Sequence, residues 1–275
     1  PEILNIDPVT GIALASMIGR LGGLAIACVI IARTSLRVSL KLLKPFPQKE
    51  IGLALSIGIP GGLNNLAYSL SQLMTTAVVA LTGGAMVAAK VYVNNLVHYI
   101  ALVGMAFGQA STIMVGYRVG AGNYEEANQI RSLVTRIALI TNALFSLLLI
   151  CVRMPLIRLF TADPVIIQIA ANVFLIDFVV EIGRALNNTI SGSLQATGDV
   201  TYQLIVNQGS GWLVSVGGSY LLAICLGWGL YGVWTAFALD ELTRGFILLH
   251  RWRSQKWREG AEKRREILAQ GTPAN

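Results

Sequence analysis

Long apolar segments alternate with short polar connections along the whole chain. They cover residues 9–32, 51–81, 85–117, 126–152, 165–196, 202–226 and 230–250. Each reaches the ~20 residues that an α-helix needs to cross a bilayer, and the longest imply tilt, kinks or extension beyond the lipid. The pattern predicts an all-α integral membrane protein with about seven transmembrane helices.

Turn-forming residues mark several ends of these segments. Asp163 and Pro164 predict an N-cap and a first helical residue, and Gly198 predicts the turn that ends the same helix. Pro60 predicts a kink, since proline removes a helical hydrogen bond. The stretch GWGLYG at 227–232 matches a dinucleotide-binding pattern, but no strand precedes it, so we interpret it as a turn between two helices.

The composition agrees with a membrane protein. Of the 275 residues, 54% are hydrophobic and 13% are charged, against about 25% charged in ordinary soluble domains. Glycine pairs predict close helix packing, at Gly104/Gly108 and at Gly116/Gly120. No zinc-protease motif, nucleophile elbow or phosphate loop is present, and the three cysteines have no ligand spacing. The sequence therefore indicates neither an enzyme nor a metal centre.

The net charge of +7 is unevenly distributed. Basic residues concentrate in the connection 33–50, around 117–125 and in the tail 251–275, which predicts that these parts are cytoplasmic and that the chain starts outside. The tail stretch HRWRSQKWREG interleaves basic and aromatic residues, as a nucleic-acid-binding segment would. Its position beside an apolar helix favours a membrane-flanking anchor instead, so we expect a lipid bilayer and no nucleic acid as partner.

The fifth apolar segment carries a polar stripe. At 100° per residue, one narrow face holds Asp177, Glu181, Arg184, Asn188 and Gln195, with Ser191 at its border. We interpret the other faces of this helix as apolar, consisting of Ile, Leu, Val, Phe and Ala. Because lipid cannot accommodate such a stripe, it should face the protein interior or a water-filled cavity.

Two interpretations of this stripe remain open. In the first, Glu181 and Arg184 form an internal ion pair at i,i+3, and Asp177 is neutral and hydrogen-bonded. In the second, one carboxylate binds and releases a cation, either a proton or a sodium ion at Asp177, as its surroundings change.

Other segments carry fainter polar groups. The second segment places Asn64, Tyr68, Ser71 and Thr75 on one face, with Gln72 beside it; the third spaces Lys90, Asn94 and His98 four apart; and the last holds Asp240, Glu241 and Arg244 at membrane depth. For His98, a hydrogen-bonded structural role is favoured over a proton relay. For the last group, internal pairing is favoured.

Three stretches resemble the C-terminal half of multidrug and toxic compound extrusion (MATE) transporters. They are IPGGLNNL, then AAKVYVNNLVHYIALVGMAFGQASTIMVGYRVGAGNYEEA, then EIGRALNNTISGSLQATGDVTYQ. The closing stretch DELTRGFILLHRWRSQKW is similar to the last helix of bacterial members, so the resemblance runs from about residue 9 to 258. It implies two six-helix lobes around a central cavity.

The resemblance assigns the parts of the chain. Residues 1–32 would be the last helix of the N-terminal lobe, 33–50 the basic cytoplasmic inter-lobe loop, 51–250 the six-helix C-terminal lobe and 251–275 a cytoplasmic tail. The chain starts with Pro1, and we interpret it as a fragment whose five preceding helices are missing.

The resemblance also implies an activity. The family exchanges organic cations or drugs for protons or sodium, without a cofactor, here expected in the bacterial inner membrane with small cationic or amphipathic substrates. Some members carry an acid on the seventh helix, but segment 51–81 has none at mid-membrane, which shifts the cation role to Asp177 and Glu181. Two alternatives are a flippase for lipid-linked sugars or polysaccharides from the same superfamily and a non-transporting half-protein or scaffold.

Overall fold

The protein consists of long helices. The computed structural model describes residues 8–33 and 48–262, and these parts contain no strand. The helices are α1 (Pro8–Arg33), α2 (Gln48–Ala80), α3 (Gly84–Gly120), α4 (Tyr124–Arg158), α5 (Pro164–Thr197), α6 (Val200–Ser210), α7 (Gly218–Tyr220) and α8 (Gly229–Arg253), with π-helical turns at Gly211–Gly217 and Leu221–Cys225. All seven apolar segments fall on helical stretches, which confirms the all-α prediction.

Four of the described helices are long and apolar enough to cross a membrane, namely Leu14–Arg33, α3, α4 and α5. The other three predicted segments are helical but are less uniform. An apolar stretch in α2 covers Leu66–Ala80, and π-helical turns interrupt the path from α6 to Cys225. In α8, three charged residues stand at the middle of the helix.

The ends of α5 form as predicted. Asp163 Oδ1 accepts hydrogen bonds from the backbone N–H groups of Val165 at 2.8 Å and Ile166 at 3.4 Å, and Pro164 follows as the first helical residue. At the other end Gly198 has a φ of 83°, the left-handed conformation that glycine adopts without strain. Local sequence therefore fixes both the beginning and the end of this helix.

The stretch at 227–232 is a turn followed by the start of α8, as predicted. Gly227 and Gly229 have φ angles of 70° and 56°, which are accessible to glycine and rarely to other residues. In α2, the helix runs through Pro60, and the predicted kink there stays a prediction.

Helix α5 lies at the centre of the bundle and packs against α3, α4 and α8. Glycines permit its approach to α3: a Cβ on Gly108 would lie 3.0 Å from the Asn188 carbonyl oxygen, and one on Gly192 would lie 2.8 Å from Thr112 Oγ1. The prediction of close packing at Gly104/Gly108 is confirmed. For the pair Gly116/Gly120 it was wrong, because Gly116 makes an ordinary contact and Gly120, the last residue of α3, faces open space.

The beginning of the tail packs onto the bundle. Trp252 and Trp257 are buried and stack at 4.4 Å between ring centres, and Tyr124 meets Trp257 edge-on. Trp252 Nε1 donates to Asn128 Oδ1 at 2.8 Å. The two indoles are therefore engaged in packing within the bundle, and the absence of a nucleic-acid partner stays a prediction.

The chain divides into two compact units, residues 1–54 and 55–275. The first contains α1 and the second contains the helices from α3 onward. Most of the predicted basic loop, residues 34–47, and the end of the tail, residues 263–275, lie outside the described part. The division into lobe, loop and tail made from the sequence stays a prediction.

Candidate functional site

A cavity of about 550 Å³ opens within the second unit, in the size range of ligand pockets, roughly 300–1,000 Å³. Its walls come from α2, α3, α5, α8 and the stretch Asn207–Ser215, and among the described residues α4 contributes none of them. The cavity therefore has polar side chains on walls from several helices.

The α5 wall presents Asp177 to this cavity. Its side chain is buried, and Oδ1 accepts a hydrogen bond from Trp234 Nε1 of α8 at 2.9 Å. The hydrogen bond expected for Asp177 is thus present, and its donor is an indole that the sequence did not suggest. In the described part of the chain, no group of three or more His, Cys, Asp or Glu side chains converges as metal ligands, so sodium at Asp177 stays a prediction.

Glu181 and Arg184 form the predicted ion pair one turn further along α5. Glu181 is completely buried, and Asn142 Nδ2 of α4 also lies 3.3 Å from its Oε2. Glu181 does not reach the cavity wall, whereas Arg184 does. The two acids of the stripe therefore differ, since Asp177 faces the cavity and Glu181 lies behind it.

The ion pairs continue from α5 into α8. Arg184 Nε lies 3.7 Å from Glu241 Oε1, which lies 2.9 Å from Arg244 Nη2. Arg244 Nη2 is also 2.7 Å from Asp240 Oδ2. The internal pairing predicted in α8 is confirmed. We call the five residues Glu181, Arg184, Glu241, Arg244 and Asp240 the charge network.

A glycine allows this network to cross between the helices. A Cβ on Gly183 would lie 2.8 Å from Glu241 Cβ, closer than real side chains approach. The absence of a side chain at Gly183 therefore lets α8 come close enough for Glu241 to reach Arg184. In the sequence the charged residues of α5 and of α8 form two separate groups. The close approach of the two helices at Gly183 joins these groups into one network.

Two neutral side chains complete the network. Asn187 Nδ2 donates to Glu241 Oε2 at 2.9 Å, and Ser210 Oγ donates to Asp240 Oδ1 at 2.5 Å. Sequence reasoning missed both. Asn187 lies off the narrow stripe, but a polar residue in an apolar helix was itself a signal.

The prediction that the other faces of α5 are apolar was wrong. Besides Asn187, Thr189 Oγ1 lies 3.1 Å from Thr135 Oγ1 and Ser193 Oγ lies 2.8 Å from Ser111 Oγ. These contacts fasten α5 to α4 and α3. Helix α5 packs against α3, α4 and α8 on several sides, so polar groups off the stripe also find partners on the neighbouring helices.

The stripe is shorter than predicted. Asn188 lines the cavity, and its Nδ2 is buried without a hydrogen-bond partner in the described structure. Ser191 Oγ lies 3.2 Å from Asn187 Oδ1. Gln195 is exposed and is not part of the described lining, because the helix has by then passed the end of the cavity.

Helices α2 and α3 supply the opposite wall. Tyr68, Asn94 and His98 are exposed and line the cavity. The side chain of Asn64 lies outside the described residues. Lys90 is buried and donates to Thr76 Oγ1 at 2.7 Å, away from the lining.

Several side chains of the predicted α2 face are already engaged. Ser71 Oγ and Thr75 Oγ1 donate to backbone carbonyls of their own helix, each at 2.8 Å. Gln72 lines the cavity. The α2 wall therefore presents the phenol of Tyr68 and the amide of Gln72 to the cavity.

The charges around the cavity are unequal. Asp177, Glu181, Asp240 and Glu241 are four acidic groups, and Arg184 and Arg244 are two basic ones. With all six ionised, the acids exceed the bases by two. Glu181 lies behind the wall, so the lining itself carries Asp177, Asp240 and Glu241 against Arg184 and Arg244. A net negative charge in a low-dielectric cleft concentrates cations.

A family model and several relatives match the chain. The MatE family model matches residues 60–221. The uncharacterized transporter YisQ of Bacillus subtilis is 34% identical over 252 residues, which cover 90% of this chain and 55% of that protein. The probable multidrug resistance protein NorM of Thermotoga maritima is 26% identical, over 94% of this chain and 56% of that protein. The chain spans about half the length of the curated relatives it matches.

Solved structures share the fold. The eukaryotic MATE transporter AtDTX14 superposes with a TM-score of 0.75 at 17% identity, over 89% of this chain and 55% of that one. The Vibrio cholerae MATE transporter VcmN in its bent form gives a TM-score of 0.68 at 20% identity, over 74% and 46%. Together with the family model, which matches more than half of the residues, these similarities show that the chain belongs to the MatE family of membrane transporters.

Proposed function

We propose that this chain is the C-terminal lobe, with the preceding helix, of an antiporter that exports organic cations or drugs across a bacterial inner membrane in exchange for protons or sodium. The observation that carries the proposal is the acid-rich cavity around Asp177, which opens between α2, α3, α5 and α8. The names of the NorM relatives support it. In this proposal a missing N-terminal lobe completes the transporter, and the tail is cytoplasmic.

The rest of the lining suits amphipathic cations. Trp212, Trp234 and Phe237 provide aromatic surface, and Met105 and Val97 provide aliphatic surface. Aromatic faces attract cations, and methionine adapts its shape to varied ligands. The acidic groups would bind the charged end of an amphipathic cation, and the adjacent aromatic and aliphatic surface would bind its apolar end.

The two acids of α5 have different proposed roles. Asp177 faces the cavity and holds a hydrogen bond from a neutral indole, so it is the group that takes up and releases the coupling ion. Glu181 is enclosed and tied to Arg184 and Asn142, so it holds the arginine in place. Arg184 in turn forms part of the cavity wall.

The flippase alternative predicts basic groups facing the cavity without partners, to hold phosphate-linked substrates. Among the described lining residues, Arg184 and Arg244 are each bound to carboxylates, which favours the cation exporter. The scaffold alternative predicts no effect of cavity residues on efflux, so the experiment below separates it from the proposal.

The test is the substitution Asp177→Asn, measured as gradient-driven efflux of a cationic dye such as ethidium from cells that express the transporter. We expect efflux to be abolished or strongly reduced with expression intact, because the amide cannot exchange a proton. The matched control is Asp163→Asn, the same chemical change at an exposed N-cap where asparagine serves as well as aspartate. Wild-type efflux by Asp177→Asn at every pH would show that coupling does not depend on this carboxylate.

A further inference from the structure

Three arginines gather near the predicted cytoplasmic end of α4 and the start of the tail. We call Arg131, Arg136 and Arg253 the basic patch. The Arg131 guanidinium lies over the Trp252 ring, 5.8 Å from its centre, and its Nε is buried without a hydrogen-bond partner. Arg136 and Arg253 are exposed; Arg253 directly follows Trp252 in the chain, and Arg136 lies five positions after Arg131 on α4. None of the three forms an ion pair with a carboxylate of the described structure.

The charge pattern of α4 places Arg136 at a membrane boundary. Residues 137–152 carry no charge, and Arg153 follows them. At 1.5 Å per residue, the distance from Arg136 to Arg153 is about 25 Å, close to the ~30 Å thickness of the hydrocarbon core. The two arginines therefore bracket the apolar span, and Arg136 lies at headgroup depth.

The direction of the Arg136 side chain is toward lipid. It shares a helical face with Leu133, Ile140 and Leu144, which are exposed by 54%, 62% and 62%. The described cavity lining has no residue from α4, so this apolar face points away from the cavity. A membrane-embedded helix places such a face against acyl chains, and the arginine at its end meets the headgroups.

We propose that the basic patch binds the phosphate of an anionic phospholipid in the cytoplasmic leaflet. A guanidinium pairs with phosphate through two parallel hydrogen bonds, a geometry that lysine does not provide. Arg136 reaches the headgroup from the lipid face, and Arg131 and Arg253 supply further positive charge from the protein side. The Arg131 guanidinium lies over the Trp252 ring, and its Nε–H has no hydrogen-bond acceptor in the described structure. An oxygen of a bound phosphate would supply an acceptor.

The test compares lipid retention in purified chains by native mass spectrometry. The chain is equilibrated in detergent with equal amounts of phosphatidylglycerol and phosphatidylcholine. We expect Arg136→Gln and Arg131→Gln each to lower phosphatidylglycerol retention about fivefold, the loss expected for one arginine near an anionic surface, and to leave phosphatidylcholine unchanged. The matched control is Arg158→Gln, an exposed arginine at the opposite end of α4.

A second measurement does not depend on any variant. Phosphatidylglycerol retention by the wild-type chain should fall as salt is raised, while phosphatidylcholine retention stays constant, because salt screens charge. The proposal is overturned if retention does not respond to salt, or if folded Arg136→Gln and Arg131→Gln retain phosphatidylglycerol like wild type. Equal loss in Arg158→Gln, or displacement of the lipid by inorganic phosphate at the same concentration, would also overturn it.

Discussion

Arg184→Gln should be among the most destabilising single changes in the charge network. The arginine lies between two carboxylates, Glu181 of its own helix and Glu241 of α8. After its removal Glu241 still has Arg244 and Asn187 as partners. Glu181 keeps the Asn142 amide, at 3.3 Å. A fully buried negative charge would then remain without a cation.

The size of the loss follows from burial. Removing one partner of a buried ion pair costs about 3–5 kcal/mol, and Glu181 has 0% exposure. The second contact, from the partly exposed guanidinium to Glu241 at 3.7 Å, resembles an exposed pair and adds about 0–1 kcal/mol. At roughly 2–4 °C per kcal/mol for a chain of this size, the melting temperature should fall by about 6–24 °C.

The double variant Glu181→Gln with Arg184→Gln makes the test specific. With the carboxylate removed as well, no unpaired charge is left at this position, and the double variant should be more stable than Arg184→Gln alone. The expected coupling is about 2–3 kcal/mol. Thermal unfolding in detergent, followed by tryptophan fluorescence, measures it, with Arg158→Gln as the exposed arginine control. Additive losses in the double variant would refute the reasoning.

Three further outcomes are expected. Gly192→Ala should cost about 1–3 kcal/mol because its Cβ would collide with the Gly108 carbonyl oxygen and lie 2.8 Å from Thr112 Oγ1, whereas Gly120→Ala in open space should leave thermal unfolding unchanged. Trp252→Ala should cost about 3–5 kcal/mol by emptying the space beside Trp257, and wild-type unfolding of the variant would contradict the packed tail. Ser254→Cys, in a background without the three exposed native cysteines, should react with a membrane-impermeant thiol reagent after permeabilisation, and labelling of intact cells would place the tail outside.

The positions of the helices could be read from the sequence because their signals are local. An apolar segment of sufficient length must satisfy its backbone internally in lipid, and the helix is the simplest way to do so. Asp163, Pro164 and Gly198 act on the backbone within one turn, and both ends of α5 lie where they indicate. The pairing of Glu181 with Arg184 was predictable for the same reason, since residues three apart in a helix are neighbours.

Contacts between helices were decided by the tertiary structure. Trp234 reaches Asp177 from 57 positions away, and Asn142 reaches Glu181 from 39 positions away. The periodicity of a sequence gives the direction of a side chain on its own helix, but it does not say which helix stands opposite. It therefore predicted a stripe that faces inward and could not predict the indole that binds it.

The same limit explains the glycines and the charge network. Gly108 and Gly120 look alike in sequence, but one touches the backbone of α5 and the other faces open space. How closely two helices approach depends on all the side chains along their interface. Gly183 lets Glu241 reach Arg184 because the surface of α8 that faces it comes close enough to leave no room for a side chain at this position. The sequence determined where the charges lie along each helix, and the packing of α5 against α8 joined them, because interhelical distance is a property of two surfaces and not of either segment alone.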